Sequence, residues 1–494
     1  MFIIFALTIT ASDQSGQMTQ RQLHKYRIYR TLVFPCGSGI GLEIADALKN
    51  LKEIELIGAT SKSKTPTHCP YVYPMVYDDL PMLRQDEMLR DRIIEIVNEQ
   101  DVDVIFPGLD DATIFLARHR KKIESATNAR IMLPSTFAVN VARSKKKTYD
   151  LFRDVPEVAV PKVYERWRAQ VASLPYSVFL KPEKGQGSQG ARRVDNPTEL
   201  RVYANSIVSP MVMEYLPGDE YTVDCFADRE RGLLFARARR RVRIRGGISV
   251  ATVPLLYNQS SEPIDDEKWV RTMATSIQKE LKMHGAFFFQ VKKNTRGKPV
   301  LMEIAPRIAG AMAMFRSFGV NLPLLTIYEA FRLPIEILLS PKYDVKIMDK
   351  AYANRYQVKG LEYDTVYVDL DDTLLLRHHK VHTKLIRFLY QCVNAKKQIV
   401  LVTRSKDDPE VVLKDLRLFE LFDRILHVTD RSILKSDVIL RDLRESCDSS
   451  GQFDSQRGIF IDDSFKERKD VLKNVGIPVF DMGMLDVLID PLVL

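Results

Sequence analysis

An apolar run that ends on a lysine and meets a glycine-rich loop forms the segment SVFLKPEKGQGSQGARRV, residues 177–194. A proline follows Lys181 and stops the run, and three glycines lie between positions 185 and 190. Such a loop exposes backbone N–H groups, and the lysine adds positive charge, so the segment suits a bound phosphate. It differs from the G-x-x-x-x-G-K-[ST] loop, because its lysine precedes the glycines and neither Lys-Ser nor Lys-Thr follows them. The pattern therefore predicts a phosphate-binding loop that follows a strand.

A strand, a glycine turn, a helix and a second strand succeed one another in TLVFPCGSGIGLEIADALKNLKEIELIGATS, residues 31–61. A further helix, DEMLRDRIIEIVNEQ, leads into the apolar run DVDVIFPG, so residues 31–139 are predicted to form a Rossmann-like α/β domain. The turn at 37–41 lacks the full G-x-G-x-x-G pattern, and no acidic residue clearly closes the second strand. We therefore favour a tight strand-to-helix turn there over a nucleotide site.

Length, charge and cysteine content limit the class of protein. A chain of 494 residues is long enough for roughly two to four domains. The net charge of +9 allows anionic partners without selecting nucleic acid. Five cysteines without a C-x-x-C pair predict reduced thiols and a cytoplasmic setting. The apolar stretch 2–9 is too short to span a bilayer, so residues 1–30 are predicted to be a tail, with an edge strand or a weak signal peptide as alternatives.

The remaining chain divides into two further regions. Residues 140–342 alternate short strands with charged turns around one long helix, DDEKWVRTMATSIQKEL, which predicts an α+β domain. Residues 343–363 combine tyrosines with charges and are predicted to be a linker. A new α/β pattern opens at DTVYVDLDDTLLL, so residues 364–494 are predicted to form a C-terminal domain.

The lysine before the glycine loop has companions in the central region. Lys145 lies at the start of a helix, where a second cation near phosphates would help to neutralise them. An apolar strand leads into residues 214–216, and Glu220 follows a Pro-Gly turn, which suits a purine edge and a ribose. The segment AFFFQVKKNTRGKPVLMEIAPRIAG predicts a hairpin in which Gln290 and Glu303 lie on adjacent antiparallel strands. Two oxygen ligands there suit a magnesium ion that bridges phosphates.

In this order the pieces resemble the ATP-grasp superfamily, in particular the members similar to the large subunit of carbamoyl-phosphate synthetase. The resemblance covers residues 31–334. It implies that ATP is held with Mg²⁺ between two α+β lobes, under a glycine loop that follows a strand lysine. The residues that it assigns to the phosphates and to the covering loop are Lys145, Lys181, Gly185, Gly187, Ser188 and Gly190.

The same resemblance implies further roles. It assigns the backbones of Glu214 and Leu216 to adenine and Glu220 to ribose. It assigns Gln290 and Glu303 to Mg²⁺ and Arg307 to the transferring phosphoryl group. Arg241 and Arg245 belong to an arginine-rich strand beside the acceptor. The implied reaction passes the γ-phosphoryl group of ATP to a carboxylate, and an amine then displaces phosphate. The protein would contribute orientation, charge neutralisation and exclusion of water.

One position departs from the ATP-grasp pattern. The family usually reads E-x-N-P-R on the metal strand, whereas this chain reads EIAPR over residues 303–307. Ala305 cannot ligate a metal, so a water or an ATP oxygen would take the place of the missing side chain.

Acidic residues follow an apolar strand in TVYVDLDDTLLL, which places Asp369, Asp371 and Asp372 within four positions. Clustered carboxylates repel one another, so a bound cation or a catalytic role is expected. Three further fragments follow, IVLVTRS, RSILKSDVI and GIFIDDSFKER, and they contribute Thr403, Lys435 and the pair Asp462-Asp463.

This set resembles the haloacid dehalogenase (HAD) superfamily over residues 364–481. The resemblance implies that Asp369 is the nucleophile and that Asp371 is the general acid and base. Thr403 would hold the phosphoryl group and Lys435 would steady its charge. The residues assigned to Mg²⁺ are Asp369, Asp371 and Asp462. A degenerate, purely structural version is the alternative.

The stretches between the HAD-like motifs leave no room for a large cap domain, so we expect an open site whose substrate is bulky or is presented by another domain. The whole chain is predicted to be a bifunctional enzyme, an ADP-forming carboxylate–amine ligase fused to a Mg²⁺-dependent phosphatase. Its expected partners are a small carboxylate, an amine and a phosphorylated substrate, with no nucleic acid and no membrane, and a homodimer is allowed. The alternatives are a phosphatase with a nucleotide-responsive regulatory half and, disfavoured because a basic tail is absent, a nucleic-acid-binding protein.

Overall fold

Three large β-sheets organise the chain, and a three-stranded sheet and a two-stranded hairpin accompany them. The computed structural model describes residues 27–61, 72–185, 187–255, 265–339, 343–351, 353–377, 380–445 and 458–489. The expectations for residues 1–26 therefore lie outside the described part of the chain. Among the described residues, no helix combines the length and the apolar character that crossing a membrane requires.

The leading sheet is parallel throughout, in the order β3-β2-β1-β4-β5. Its strands are β1 (Tyr29–Phe34), β2 (Ile54–Ser61), β3 (Met75–Leu80), β4 (Val104–Pro107) and β5 (Arg130–Ile131), and its helices are α1 (Gly39–Leu48), α2 (Asp86–Glu99) and α3 (Asp110–Ala126). The turn between β1 and α1 needs glycine, because a Cβ on Gly41 would lie 2.5 Å from the carbonyl oxygen of Cys36. Ser38 caps α1 by accepting a hydrogen bond from the Gly41 N–H at 2.8 Å. β1 begins inside the predicted N-terminal tail.

The central region contains an antiparallel three-stranded sheet in the order β7-β6-β8 and an antiparallel seven-stranded sheet in the order β13-β12-β9-β10-β11-β14-β15. The strands are β6 (Val178–Pro182), β7 (Arg192–Val194), β8 (Pro210–Glu214), β9 (Glu220–Asp228), β10 (Gly232–Arg245), β11 (Ile248–Pro254), β12 (Gly285–Lys293), β13 (Pro299–Ala305), β14 (Asp344–Ala351) and β15 (Ala353–Lys359). The helices are α4 (Thr136–Arg143), α5 (Lys145–Phe152), α6 (Pro197–Ala204), α7 (Asp265–Leu281), α8 (Ala313–Arg316) and α9 (Leu322–Ala330). The apolar face of α7 packs on the seven-stranded sheet, where Met273 and Ile277 share a core with Phe287.

The prediction of a linker over 343–363 is wrong, because β14 and β15 form a hairpin that extends the seven-stranded sheet. The physical reason is that this segment buries apolar side chains at Val345 and Met348. Its charges, which suggested a linker, are instead paired: Lys350 Nζ lies 2.8 Å from the Glu43 carboxylate on α1, and Asp349 contacts Arg243 on β10. The central unit therefore extends to Lys359.

The C-terminal sheet is parallel, in the order β20-β19-β16-β21-β22. Its strands are β16 (Thr365–Val368), β19 (Gln398–Thr403), β20 (Arg424–His427), β21 (Gly458–Ile461) and β22 (Val479–Phe480), with the hairpin β17 (Leu375–Leu376) and β18 (Lys380–Val381) beside it. The helices are α10 (Thr383–Asn394), α11 (Pro409–Asp415), α12 (Lys435–Glu445), α13 (Phe465–Asn474) and α14 (Leu485–Leu488).

One apolar core crosses the borders between these sheets. It joins Ile44 of α1 to Phe315 of α8, Met348 of β14 and Phe480 of β22. A buried ion pair accompanies it, because Arg316 Nη2 lies 2.5 Å from the Asp46 carboxylate on α1. The leading, central and C-terminal units are therefore packed against one another along α1.

Candidate active sites

A cleft between the three-stranded and seven-stranded sheets consists of two adjoining cavities of about 140 and 540 Å³. The predicted residues that line the smaller cavity are Lys145, Lys181, Gly185, Gly187, Ser188, Glu214, Leu216, Glu220, Arg241, Gln290 and Glu303. Arg307 and Ala305 line the larger cavity. The structure thus brings together in one cleft residues that lie far apart in the sequence.

Two predicted residues line neither cavity. Gly190 lies at the far end of the glycine loop, where a Cβ would contact the side chain of Ile207 at 3.4 Å. Arg245 ends β10 and is exposed opposite Ile248 at the tip of the β10–β11 hairpin. Neither residue lines the cleft in this conformation.

The two lysines lie at the junction of the cavities. Lys181 on β6 is 5% exposed, and its Nζ donates a hydrogen bond of 2.8 Å to the hydroxyl of Tyr149 on α5. Burial, reinforced by the charge of Lys145, lowers the pKa of Lys181 to about 7. Burial also lowers the pKa of Lys145, against the attraction of Glu303. At both lysines burial thus outweighs the nearby carboxylates, and a bound polyphosphate would supply further negative charge.

Tyr149 holds Lys181 in place and was not predicted from the sequence. Its hydroxyl donates to the backbone carbonyl of Met302 on β13 at 2.8 Å, so it links the helix, the lysine and the metal strand. Burial raises the pKa of this phenol far above its ordinary value, which keeps it a neutral partner. An aromatic residue four positions after Lys145, on the next turn of the same helix, was the available signal.

The glycine loop contacts a second glycine turn. Gly187 has a φ of +61°, and Gly247, with a φ of +77°, approaches it so closely that a Cβ would lie 2.3 Å from the Gly187 carbonyl carbon. Only glycine fits at position 247, because both the left-handed backbone and the contact exclude a side chain. The tip of the β10–β11 hairpin therefore packs against the loop that follows Lys181.

The hairpin register predicted for the metal strand is confirmed. Gln290 on β12 pairs directly with Glu303 on β13. The Oε1 atom of Gln290 accepts a hydrogen bond of 3.0 Å from Arg241, whose guanidinium also contacts the Glu220 carboxylate. An amide oxygen and a carboxylate on neighbouring strands fit a Mg²⁺ ion that keeps several waters, once Arg241 turns away.

The larger cavity extends towards the leading sheet. Arg307 is 8% exposed, and its Nε donates to the carboxylate of Asp110 at 2.7 Å. Burial works against ionisation of Asp110, but Arg307 and nearby cations outweigh it and lower the pKa of this carboxyl. Asp110 begins α3 of the leading unit, so its contact with Arg307 depends on how the leading sheet packs against the seven-stranded sheet. No local sequence pattern predicts that contact. Ser38 and Gly39 at the start of α1 line the same cavity.

Comparison with known proteins identifies the kind of domain that contains this cleft. Residues 206–350 match the family model described as ATP-grasp in the biosynthetic pathway with Ter operon. The chain contains an ATP-grasp domain. A search of curated protein sequences finds no match to this chain. The mixed α/β class predicted from the sequence is confirmed by the fold of the solved structures that the chain resembles.

Three solved structures illustrate the likeness of the ATP-grasp fold. The biotin carboxylase domain dimer of 2-oxoglutarate carboxylase from Hydrogenobacter thermophilus, in complex with MgADP, ADP and bicarbonate, has a TM-score of 0.53 at 15% identity, covering 65% of this chain and 74% of that chain. A biotin carboxylase–beta-gamma-ATP complex from Campylobacter jejuni has a TM-score of 0.51 at 17% identity, covering 66% and 76%. An L-amino acid ligase from Bacillus licheniformis has a TM-score of 0.50 at 16% identity, covering 65% and 80%.

A second cluster lies in the C-terminal unit, beyond the ATP-grasp domain. Asp369 follows β16, and Asp462 and Asp463 follow the neighbouring parallel strand β21, so the three carboxylates meet at one edge of the sheet. One carboxylate oxygen from each lies within 4.8 Å of the others. Oxygens bound to one Mg²⁺ lie at most about 4.2 Å apart, so small rotations would fit this donor set to the ion.

Lys435 bridges the buried part of this cluster. Its Nζ donates to Asp369 at 2.6 Å and to Asp462 at 2.7 Å, and all three side chains are at most 7% exposed. Burial, and then the charge of Asp462, raises the pKa of the Asp369 carboxyl, while Lys435 opposes the rise. Thr403 ends the adjacent strand β19 and is fully buried.

Asp371 is placed differently from its prediction as a metal ligand. It is exposed, in a turn whose backbone forms a bridge with Leu375, and the described carboxylate group contains Asp463 in its place. The adjacent acidic pair at the end of β21 was the sequence signal for Asp463.

Proposed function

We propose that the protein is a bifunctional enzyme. Its ATP-grasp domain would be an ATP-dependent, ADP-forming ligase that joins a carboxylate to an amine. Its C-terminal unit would be a Mg²⁺-dependent phosphatase of the HAD type. The proposed units are a Rossmann-like domain over 31–139, an ATP-grasp domain from 140 extended by the hairpin to 359, and a HAD-like domain from 364, all in a cytoplasmic protein.

The convergence of Lys145 and Lys181 beneath the glycine loop is the observation that carries the ligase proposal. Two cations that burial makes costly, next to a loop of backbone N–H groups, favour an ATP polyphosphate. The Hydrogenobacter relative with the same fold holds MgADP, which supports the same ligand class here. Gln290 and Glu303 would hold Mg²⁺, which neutralises phosphate charge when bound.

The remaining residues of the cleft receive roles from their positions. Glu214 and Leu216, beside apolar side chains such as Met213, would meet the adenine, and Glu220 would meet the ribose after leaving Arg241. Arg307 lies in the larger cavity and would stabilise the charge that develops on the phosphoryl group or on the acyl phosphate. The larger cavity, closed by the leading sheet, would hold the carboxylate and exclude water.

A nucleotide-responsive regulator is the second candidate for the ATP-grasp domain. Ala305 favours it, because the side chain is buried beside Phe288 and offers no ligand atom to a second metal ion. In that case ATP would bind without a chemical step. The two candidates differ in turnover and agree on binding.

ATP turnover tests the ligase proposal. ADP and phosphate release would be measured with Mg²⁺-ATP against pooled carboxylates and amines, beside thermal melts with and without nucleotide. A ligase requires ADP release that depends on both a carboxylate and an amine and that Lys181→Ala abolishes. A nucleotide-dependent rise in melting temperature without turnover would favour the regulator. An unchanged melting curve at millimolar ATP would rule out both.

The buried Asp369–Lys435–Asp462 cluster is the observation that carries the phosphatase proposal. The lysine positions the Asp369 carboxylate, which would attack the phosphorus atom of a phosphate monoester and form an aspartyl phosphate as the alcohol leaves. Asp371 would protonate that alcohol and then activate water for hydrolysis. Asp369 and Asp462 would hold Mg²⁺ together with Asp463, and the bound ion would shield the phosphoryl charge.

Phosphate release from p-nitrophenyl phosphate tests this proposal in the full chain. Asp369→Asn keeps the shape of the side chain but removes the nucleophilic oxygen, so turnover should vanish while the protein still folds cooperatively. Asp371→Asn should slow turnover and leave the phosphoenzyme able to form. Equal rates in the parent and in Asp369→Asn would refute the phosphatase.

A further inference from the structure

A lysine of the leading unit reaches the carboxylate cluster of the C-terminal unit. Lys52 lies in the turn between α1 and β2, and its Nζ lies 2.6 Å from the Asp463 carboxylate and 3.1 Å from that of Asp372. Its neighbour Leu51 packs against the apolar core shared by the units. The turn is thus held at the C-terminal site by packing as well as by charge.

Side-chain exposure rises stepwise from the cluster to Lys52. Asp369 is 7% exposed, Asp463 is 17% exposed and Lys52 is 47% exposed. Hydrogen bonds connect these positions, because Thr373 donates its hydroxyl proton to Asp369 at 3.2 Å and accepts from the Asp463 N–H at 2.9 Å. Lys52 therefore lies at the mouth of the site whose buried end holds Asp369.

The two lysines of the site have different surroundings. Lys435 is buried between Asp369 and Asp462, where it can touch only the phosphoryl group. Lys52 is half exposed, and the carboxylates beside it are the outer ones. A cation at the mouth lies on the side from which the rest of a substrate projects. A lysine there binds a carboxylate or a phosphate as a point charge.

We propose that Lys52 is a specificity-determining residue of the C-terminal site, which selects phosphate monoesters that carry a second anionic group. This inference rests on the proposed phosphatase. Mg²⁺ binding at Asp463 would compete with Lys52 for the same carboxylate and release the ammonium group towards the substrate. The leading unit would then serve as the cover that the C-terminal sequence lacks.

The ion pairs of Lys52 are expected to add little to the free energy of unfolding. Exposed ion pairs contribute about 0.2–1 kcal/mol, so removing this lysine should leave folding intact. Lys49, one turn earlier and 37% exposed, offers a matched control, because it pairs with Asp46 on its own helix.

A matched pair of probes tests the proposal in the full-length protein. Phosphate release would be followed with phenyl phosphate and with 3- and 4-carboxyphenyl phosphate, which differ from it by one carboxylate. The parent should favour a carboxylated probe by about tenfold in kcat/KM, mainly through KM, since a charged hydrogen bond supplies this much. Lys52→Met should erase that preference, and both probes are compared within the same variant at saturating Mg²⁺, so that the ratio of the two rates does not depend on the metal contact of Asp463. Lys52→Arg and Lys49→Met should retain the preference, and added salt should weaken it.

The outcomes separate this inference from the proposed function. A parent without preference, or a Lys52→Met variant that keeps it, would overturn the role of Lys52 while the phosphatase stands. Turnover that survives Asp369→Asn, or no turnover of any probe, would overturn the phosphatase and the Lys52 inference with it. A merely structural ion pair would change the melting temperature of Lys52→Met and leave the ratio of the two rates as in the parent.

Discussion

Replacing Lys181 with methionine should stabilise the nucleotide-free protein and abolish ATP binding. Burial lowers the pKa of this lysine from 10.5 to about 7, so the folded protein binds fewer protons than the unfolded chain between these values. Stability of the parent therefore contains a contribution that rises with pH from about 7 to about 10.5. Methionine keeps the length of the side chain and removes the charge.

The magnitude follows from the pKa. A pKa of about 7 in place of 10.5 corresponds to about 5 kcal/mol of destabilisation at pH 7. Loss of the hydrogen bond to Tyr149 offsets about 1 kcal/mol of this gain. The free energy of unfolding of Lys181→Met should thus exceed that of the parent by several kcal/mol near pH 7, and the difference should shrink as pH approaches 10.

Thermal melts between pH 6 and 10, with and without Mg²⁺-ATP, measure this effect. Without nucleotide the variant should melt several degrees above the parent at pH 7. Addition of nucleotide should raise the melting temperature of the parent only. Lys146→Met is the control, since this lysine lies on α5 beside the cleft, is 48% exposed and pairs with Asp150. A Lys181→Met variant no more stable than the parent at pH 7 would refute the reasoning that this buried charge opposes folding.

Five further substitutions test other parts of the molecule. Gly247→Ala should raise the KM for ATP in ADP-release assays, because the new Cβ would collide with Gly187, and an unchanged KM would show that the two loops separate freely. Ala305→Asn should lower the Mg²⁺ concentration needed for half-maximal ATP turnover, and an identical titration would place the residue away from the metal. Asp463→Asn should raise the Mg²⁺ concentration needed for phosphate release about tenfold or more, whereas Asp371→Asn should lower kcat and leave that concentration unchanged. If Asp371→Asn instead raised the Mg²⁺ requirement, Asp371 would be a metal ligand, as the sequence predicted. Arg316→Met should cost about 2 kcal/mol in denaturant unfolding, because Asp46 loses its buried partner and keeps only Lys49. A loss no larger than for an exposed arginine would contradict this.

The local sequence pattern was enough to predict the position of a residue where its neighbours lie on the same hairpin. The register of Gln290 with Glu303 follows from a hairpin whose turn and alternation are both visible in the sequence. The ends of β16 and β21 meet because parallel neighbours end at the same edge, which brings Asp369 to Asp462. The hairpin register follows from a short-range rule, whereas the meeting of Asp369 with Asp462 was implied by the resemblance to the HAD superfamily.

Two of the partners that sequence reasoning missed act across units. Asp110 reaches Arg307 from another sheet, and Lys52 reaches Asp463 over a separation of several hundred residues. No spacing rule connects such positions, since their proximity depends on how finished sheets pack. The linker prediction for this region was wrong for a related reason. Its charged side chains pair with Glu43 and Arg243 of other elements rather than with solvent.

The core that runs through all three units has a genetic consequence. Tyr343 stacks on Phe318 with ring centroids 5.8 Å apart and on Phe480 at 5.7 Å, and its hydroxyl donates to the Ser317 carbonyl. None of these residues belongs to either proposed active site. A missense change at Tyr343 would nonetheless loosen both units at once. If both proposed activities exist, a genetic screen would therefore record the loss of both from one substitution.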